Sequence, residues 1–132
     1  MITVAVIGCM GRMGQAVVSA VTEAEDMTLV CGVDPAASDA CEFPVYATVE
    51  EALQKESFQV MVDFTQPSVV ESHIRACLPA HVHCVIGTTG LSDETLAELS
   101  ELCPEDTCLF VAPNFTIGAV LMMEFAKTAA KF

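Results

Sequence analysis

Three glycines, Gly8, Gly11 and Gly14, stand in the run GCMGRMG, directly after a β-branched stretch and at the start of a helical pattern. Such a turn can bind an anion. A glycine at the strand end permits a tight turn, a second lets backbone approach a pyrophosphate, and a third allows close packing of helix on sheet. The helix N-terminus adds free N–H groups and a partial positive charge. The spacing is G-x-x-G-x-x-G, one residue off the familiar G-x-G-x-x-G of dinucleotide binders. The competing reading is a glycine-rich turn that serves packing only. Cys9 and Met10 would contribute backbone, and Arg12 would be a local cation in the turn.

Asp34 closes the second apolar run, 20 residues beyond Gly14. At that separation a carboxylate can accept both hydroxyls of an adenosine ribose and repel a 2′-phosphate, which favours NADH over NADPH. A turn-forming Asp before Pro35 is the alternative. Arg12 works against the preference, because a guanidinium near the adenosine would offset the repulsion and admit both cofactors.

Two further polar strand ends follow. In VMVDFTQPS a buried-strand pattern turns polar at Asp63, Phe64 and Thr65, which fits either a cofactor wall or a helix cap before Pro67. In VIGTTGLS, Thr88 and Thr89 lie between Gly87 and Gly90, which offers hydroxyls on a backbone free to approach a ligand, or a structural turn. His73, His81 and His83 form no site by spacing and are expected as surface or capping residues. No Ser-His-Asp order, metal-ligand spacing or paired carboxylates stand out, so neither a catalytic residue nor a metal site is assigned.

These strand ends need a frame to hold them. Short runs rich in Val, Ile and Phe at 2–8, 27–33, 58–64, 83–87 and 107–112 predict five strands. Helical patterns at 12–24, 49–56, 67–78, 93–103 and 117–131 alternate with them. Thr48 with Glu51 makes a capping box, Pro67 suits a first helical position, and Ser92 can cap the fourth helix. Unbroken apolar strands, each followed by a helix, require a parallel sheet covered on both faces. The fold class is therefore α/β, a doubly wound, Rossmann-like sheet in three layers, whose ligands bind at the carboxyl ends of the strands.

The chain has 132 residues, 53% of them hydrophobic, enough for one domain with a single core. Its formal charge of −13 repels nucleic acid and anionic membrane, so neither is an expected partner. Only Arg12, Lys55, Arg75, Lys127 and Lys131 are basic. Seven cysteines without a C-x-x-C pair read as reduced thiols rather than disulfides or a zinc cage. The N-terminus lacks a basic leader pattern, and a cytoplasmic location is expected.

Together, GCMGRMG at 8–14, GVD at 32–34, DFTQP at 63–67, GTTG at 87–90 and APNFTIG at 112–118 resemble dihydrodipicolinate reductase, the 4-hydroxy-tetrahydrodipicolinate reductase of lysine and diaminopimelate synthesis. The resemblance implies an NAD(P)H-binding domain over 1–116, with the segment from Gly8 to Met13 around the pyrophosphate and Asp34 on the adenosine ribose. Phe64, Thr65, Gly87, Thr88, Thr89, Ala112, Pro113, Asn114 and Phe115 would then wall the ribose and nicotinamide, and Thr89 would also touch substrate. The implied substrate is a small dicarboxylate whose unsaturated ring receives a hydride. Members of the family often carry Arg after the acidic residue, where this chain has Pro35.

In the family, a helix like that at 117–132 leads into a substrate and oligomerisation domain with a paired-histidine motif. No residue here matches that motif, so this chain alone is expected to bind cofactor without turnover. The sheet edge left by the absent part makes a homo-oligomer an expected partner. Two other functions share the same turn and strand ends: a different small-acid oxidoreductase module, such as one like aspartate dehydrogenase, and a non-catalytic nucleotide or CoA-binding module.

Overall fold

The computed structural model describes residues 1–36, 41–112, 114–115 and 117–131. Strand β1 (Ile2–Ile7) runs into α1 (Arg12–Glu23), and β2 (Met27–Val33) follows, then β3 (Val45–Tyr46) and α2 (Val49–Lys55). Next come β4 (Val60–Asp63), α3 (Pro67–Cys77), β5 (His83–Ile86), α4 (Asp93–Glu101), β6 (Leu109–Val111) and α5 (Ile117–Ala129). The helix starts follow their sequence signals. Thr48 Oγ1 accepts the Glu51 N–H, Ser92 Oγ accepts the Thr95 N–H, and Pro67 takes the first position of α3. Glu51 reaches back to the Ala47 N–H, one residue before the expected partner in a capping box.

The sheet has six strands in the order β3-β2-β1-β4-β5-β6, and every pair is parallel. The sixth strand is β3, which is only two residues long and has no apolar run to announce it. Pairing with β2 creates it: the Gly32 N–H donates to Pro44 O and the Asp34 N–H to Tyr46 O, both at 2.9 Å.

Alternation divides the apolar side chains between two faces. Ala5, Ile7, Cys31, Val33, Met61, Cys84 and Ile86 point to one face, under Val49 and Ala52 of α2, Val70 and Ile74 of α3, and Leu99 of α4. Val4 and Val6 point to the other, under Val17, Val18 and Val21 of α1. These are the three expected layers, but the second face is covered unevenly. Beyond β1 its Val60 and Val62 are only half-buried, Phe110 is 51% exposed, and α5 buries no residue against the sheet. All seven cysteines are free thiols.

Candidate functional site

The strand order reverses between β1 and β4, so the loops leaving these two strands diverge and open a crevice at the carboxyl end of the sheet. The glycine turn lies there. Gly8 has φ 77°, a left-handed conformation, and a Cβ on it would stand 2.9 Å from Phe64 O. A Cβ on Gly14 would overlap the carbonyl of Gly8, so the first turn of α1 can pack on the loop only with glycine at this position. The Gly11 N–H donates to Gly8 O at 3.0 Å and closes the turn.

Gly11 caps α1 without a side-chain hydrogen bond, and the first turn holds no acidic residue. The amides at the start of the helix therefore keep their donors and the positive end of the dipole is uncancelled. Arg12 is exposed there and, among the described residues, makes no ion pair, whereas Lys55, Arg75 and Lys127 are each paired with glutamate. Cys9 is buried, and burial together with the nearby Asp34 charge pushes its thiol up to about 11. Its side chain packs inward, leaving backbone to face the turn.

Asp34 is tied to this turn. One carboxylate oxygen accepts the Met10 N–H at 3.1 Å and the other accepts the Ala36 N–H at 2.9 Å. Each oxygen retains a lone pair for a further donor. A cleft of about 590 Å³ opens beside it, lined among others by Gly8, Gly11, Asp34, Thr48, Thr65 and His73.

A second, smaller cleft of about 210 Å³ lies between the ends of β4 and β5, lined by Met13, Phe64, Thr65, Pro67, Gly87, Thr88 and Thr89. The Phe64 ring lies so close over Gly87 that a Cβ there would overlap it. Phe64 also meets Phe115 edge-on, with centroids 5.3 Å apart and planes at 67°. Thr65 and Thr88 are already engaged. Asp63, fully buried, accepts the Thr65 N–H at 2.9 Å, the Thr65 hydroxyl at 2.7 Å and the Thr88 hydroxyl at 2.9 Å on one oxygen, and meets His73 Nδ1 at 2.7 Å on the other. Burial acts to raise the Asp63 carboxyl, but the hydrogen bonds from His73, Thr65 and Thr88 outweigh it and hold the group below the usual carboxylate value.

Of the residues singled out from the sequence, Gly8, Gly11, Met13, Asp34, Phe64, Thr65, Gly87, Thr88 and Thr89 line one cleft or both. Cys9, Met10, Arg12 and Gly14 line neither and adjoin the site through the turn and the helix start; Ala112, just beyond β6, and Asn114 line neither, and Phe115 lines neither but meets Phe64 edge-on. Pro113 lies outside the described residues. Thr88 is buried, and its hydroxyl is given to Asp63.

The expectation for His73 is corrected. His73 is not a surface or capping residue: α3 carries it back to the end of β4, where it is half-buried on Asp63. Spacing could not reveal this, because the pair forms only when α3 folds onto the sheet. His81, paired with Asp106, and His83, whose Nδ1 accepts the Cys108 N–H, do behave as surface and capping groups.

Among the described residues, no group of three or more His, Cys, Asp or Glu could hold a metal ion, and no helix is long and apolar enough to cross a membrane. An all-parallel sheet in this order, with a glycine turn and an acidic second strand end meeting at its switch point, defines a Rossmann-type α/β domain. Residues 2–115 match the family described as "Dihydrodipicolinate reductase, N-terminus", and the chain belongs to that family.

Its relatives include the 4-hydroxy-tetrahydrodipicolinate reductase of Oceanobacillus iheyensis, 38% identical over 99% of this chain and 54% of the relative. That of Corynebacterium aurimucosum is 40% identical over 99% of this chain and 49% of the relative. The solved dipicolinate-bound dihydrodipicolinate reductase from Paenisporosarcina sp. TG-14 superposes with a TM-score of 0.86 at 38% identity, covering all of this chain and 54% of that one. The chain thus spans about half the length of the relatives it matches.

Proposed function

We propose that this chain is the NAD(P)H-binding portion of a 4-hydroxy-tetrahydrodipicolinate reductase and that it favours NADH. The observation that carries the reading is the Asp34 carboxylate, tied to the glycine turn through the Met10 N–H and lining the larger cleft. Glycine at 8 and 14 supports the reading by letting the start of α1 pack directly on the loop, where a Cβ at either position would run into backbone.

In this reading the oxygens of Asp34 accept the adenosine ribose hydroxyls and disfavour a 2′-phosphate. The first amides of α1 and the Arg12 guanidinium take the pyrophosphate charge, with the backbone of Gly8, Cys9, Met10, Gly11, Met13 and Gly14 close against it. Phe64, Thr65 and the Gly87–Thr89 segment wall the ribose and nicotinamide side, with Ala112, Asn114 and Phe115 beyond them. A bound nicotinamide would supply hydride, and these residues would hold and aim it.

In this proposal the domain is 1–116, and the segment 117–132, whose helix α5 covers Ile117–Ala129, leads toward a substrate domain that supplies the general acid and binds the small dicarboxylate. The dipicolinate named for the Paenisporosarcina structure supports that substrate class. No residue of this chain is assigned as the acid, so the chain alone is proposed to turn over negligibly. Self-association through the bare side of the sheet and α5 is supported by exposed Phe110, Ile117, Met122 and Phe125.

Calorimetric titration with NADH, NADPH and CoA tests the reading. NADH binding that is lost in Asp34→Ala supports it, and preference for CoA overturns it. Reductase turnover from this chain alone would overturn the assignment of the acid to another domain.

A further inference from the structure

At the carboxyl ends of five strands, Val33, Ile7, Asp63, Ile86 and Val111 stand side by side in register, and this row faces the larger core. Four members are aliphatic, and the one between Ile7 and Ile86 is a fully buried carboxylate. A buried charge costs several kcal/mol unless its partners are complete, and an aliphatic residue would fill this place at less cost. Here the partners are complete, and they come from three segments: Thr65 beyond β4, Thr88 beyond β5 and His73 on α3. Thr88 adds a cross-link, since its Oγ1 also accepts the Thr65 N–H at 2.8 Å.

We propose that Asp63 is a positioning residue that clamps the Phe64–Thr65 and Gly87–Thr89 loops into one rigid wall, with His73 fixing the direction of its carboxylate. An ionised carboxylate only accepts, so the proton of the His73 bond sits on Nδ1. That bond holds one oxygen of Asp63 toward α3 and leaves the other for all three loop donors. The clamp acts on the smaller cleft, which both loops line, and this assignment rests on the dinucleotide reading above.

The test compares the chain with His73→Leu, His73→Asn and Thr88→Val, using NADH and ADP-ribose as probes; the second lacks the nicotinamide. Leu removes the donor at similar bulk, whereas the Asn amide can stand where Nδ1 stood. Thr88→Val and His73→Leu should weaken NADH roughly five- to tenfold, the loss expected of one buried hydrogen-bonded anchor, and ADP-ribose less than about twofold. His73→Asn should recover most of the NADH affinity. Equal losses for both probes, or no recovery with Asn, would overturn the clamp.

Exchange of the Thr65 amide hydrogen, measured without ligand, separates the two readings. A protected Thr65 amide in a chain that binds neither probe would overturn the dinucleotide reading and leave the clamp standing. An unprotected one would overturn the clamp whatever binds.

Discussion

The Asp34 carboxylate and the Met10 amide meet at 3.1 Å, joining the end of β2 to the glycine turn that leaves β1. This bond sets where the acidic group stands relative to the turn, and the Ala36 N–H at 2.9 Å fixes its second oxygen. The residue that would read the ribose is thereby held in place before any ligand arrives, so ordering it adds little to the cost of binding.

Asp34→Ala should weaken NADH by about tenfold to a hundredfold, the range for losing hydrogen bonds to a charged group. Asp34→Asn keeps an acceptor for Met10 and removes the charge, so the NADPH to NADH affinity ratio should rise. Calorimetry of both variants with both nucleotides checks this, and an unchanged NADH affinity in Asp34→Ala would refute the ribose role.

Gly14→Ala should cost about 1–3 kcal/mol in urea unfolding, because its Cβ would overlap backbone at Gly8 and force the helix off the turn. Gly118→Ala is the control: nothing lies within 4 Å of the added methyl, and stability should hold or rise slightly.

Acid should destabilise the fold partly through Asp63. Its carboxyl is held below the ordinary 3.8 in the folded chain, so its contribution is present above that value and is lost as the pH falls below it, through the folded value. Asp63→Asn has no carboxyl to protonate. The parent should therefore lose more urea resistance than Asp63→Asn between about pH 5 and about pH 2.5. An equal loss in the two proteins would contradict this.

Arg12→Ala should reduce NADH affinity roughly three- to tenfold at low salt, and the gap should narrow as salt screens an exposed guanidinium. A salt-independent loss would place Arg12 in packing instead.

Cys9 and Cys31 should resist alkylation near neutral pH. Burial, followed by nearby charges, raises their thiols to about 11 and about 12, which leaves almost no thiolate. Cys108 is exposed and should react first, as followed by peptide mass spectrometry.

Much of this domain was legible in local sequence. The second strand forms where its apolar run predicts, at Met27–Val33, and the others shorten by a few residues at their ends. Runs of Val and Ile choose strand, and Thr48, Pro67 and Ser92 choose helix starts, through bonds that reach only a few residues. The glycine turn and Asp34 were legible for the same reason: a tight turn demands glycine locally, and the acidic strand end falls at a fixed distance along a βαβ unit.

What tertiary structure alone decided are the relationships between strands. β3 is a strand only because Pro44 and Tyr46 meet the free edge of β2. Spacing left the Thr88 hydroxyl open between a ligand contact and a structural turn, and the approach of β5 to β4 commits it to Asp63. His73 is ten residues from Asp63 in sequence and on a different element, yet the packing of α3 brings them to 2.7 Å. Local propensities select elements through interactions a few residues long, whereas these contacts exist only once crossovers have set which strand lies beside which.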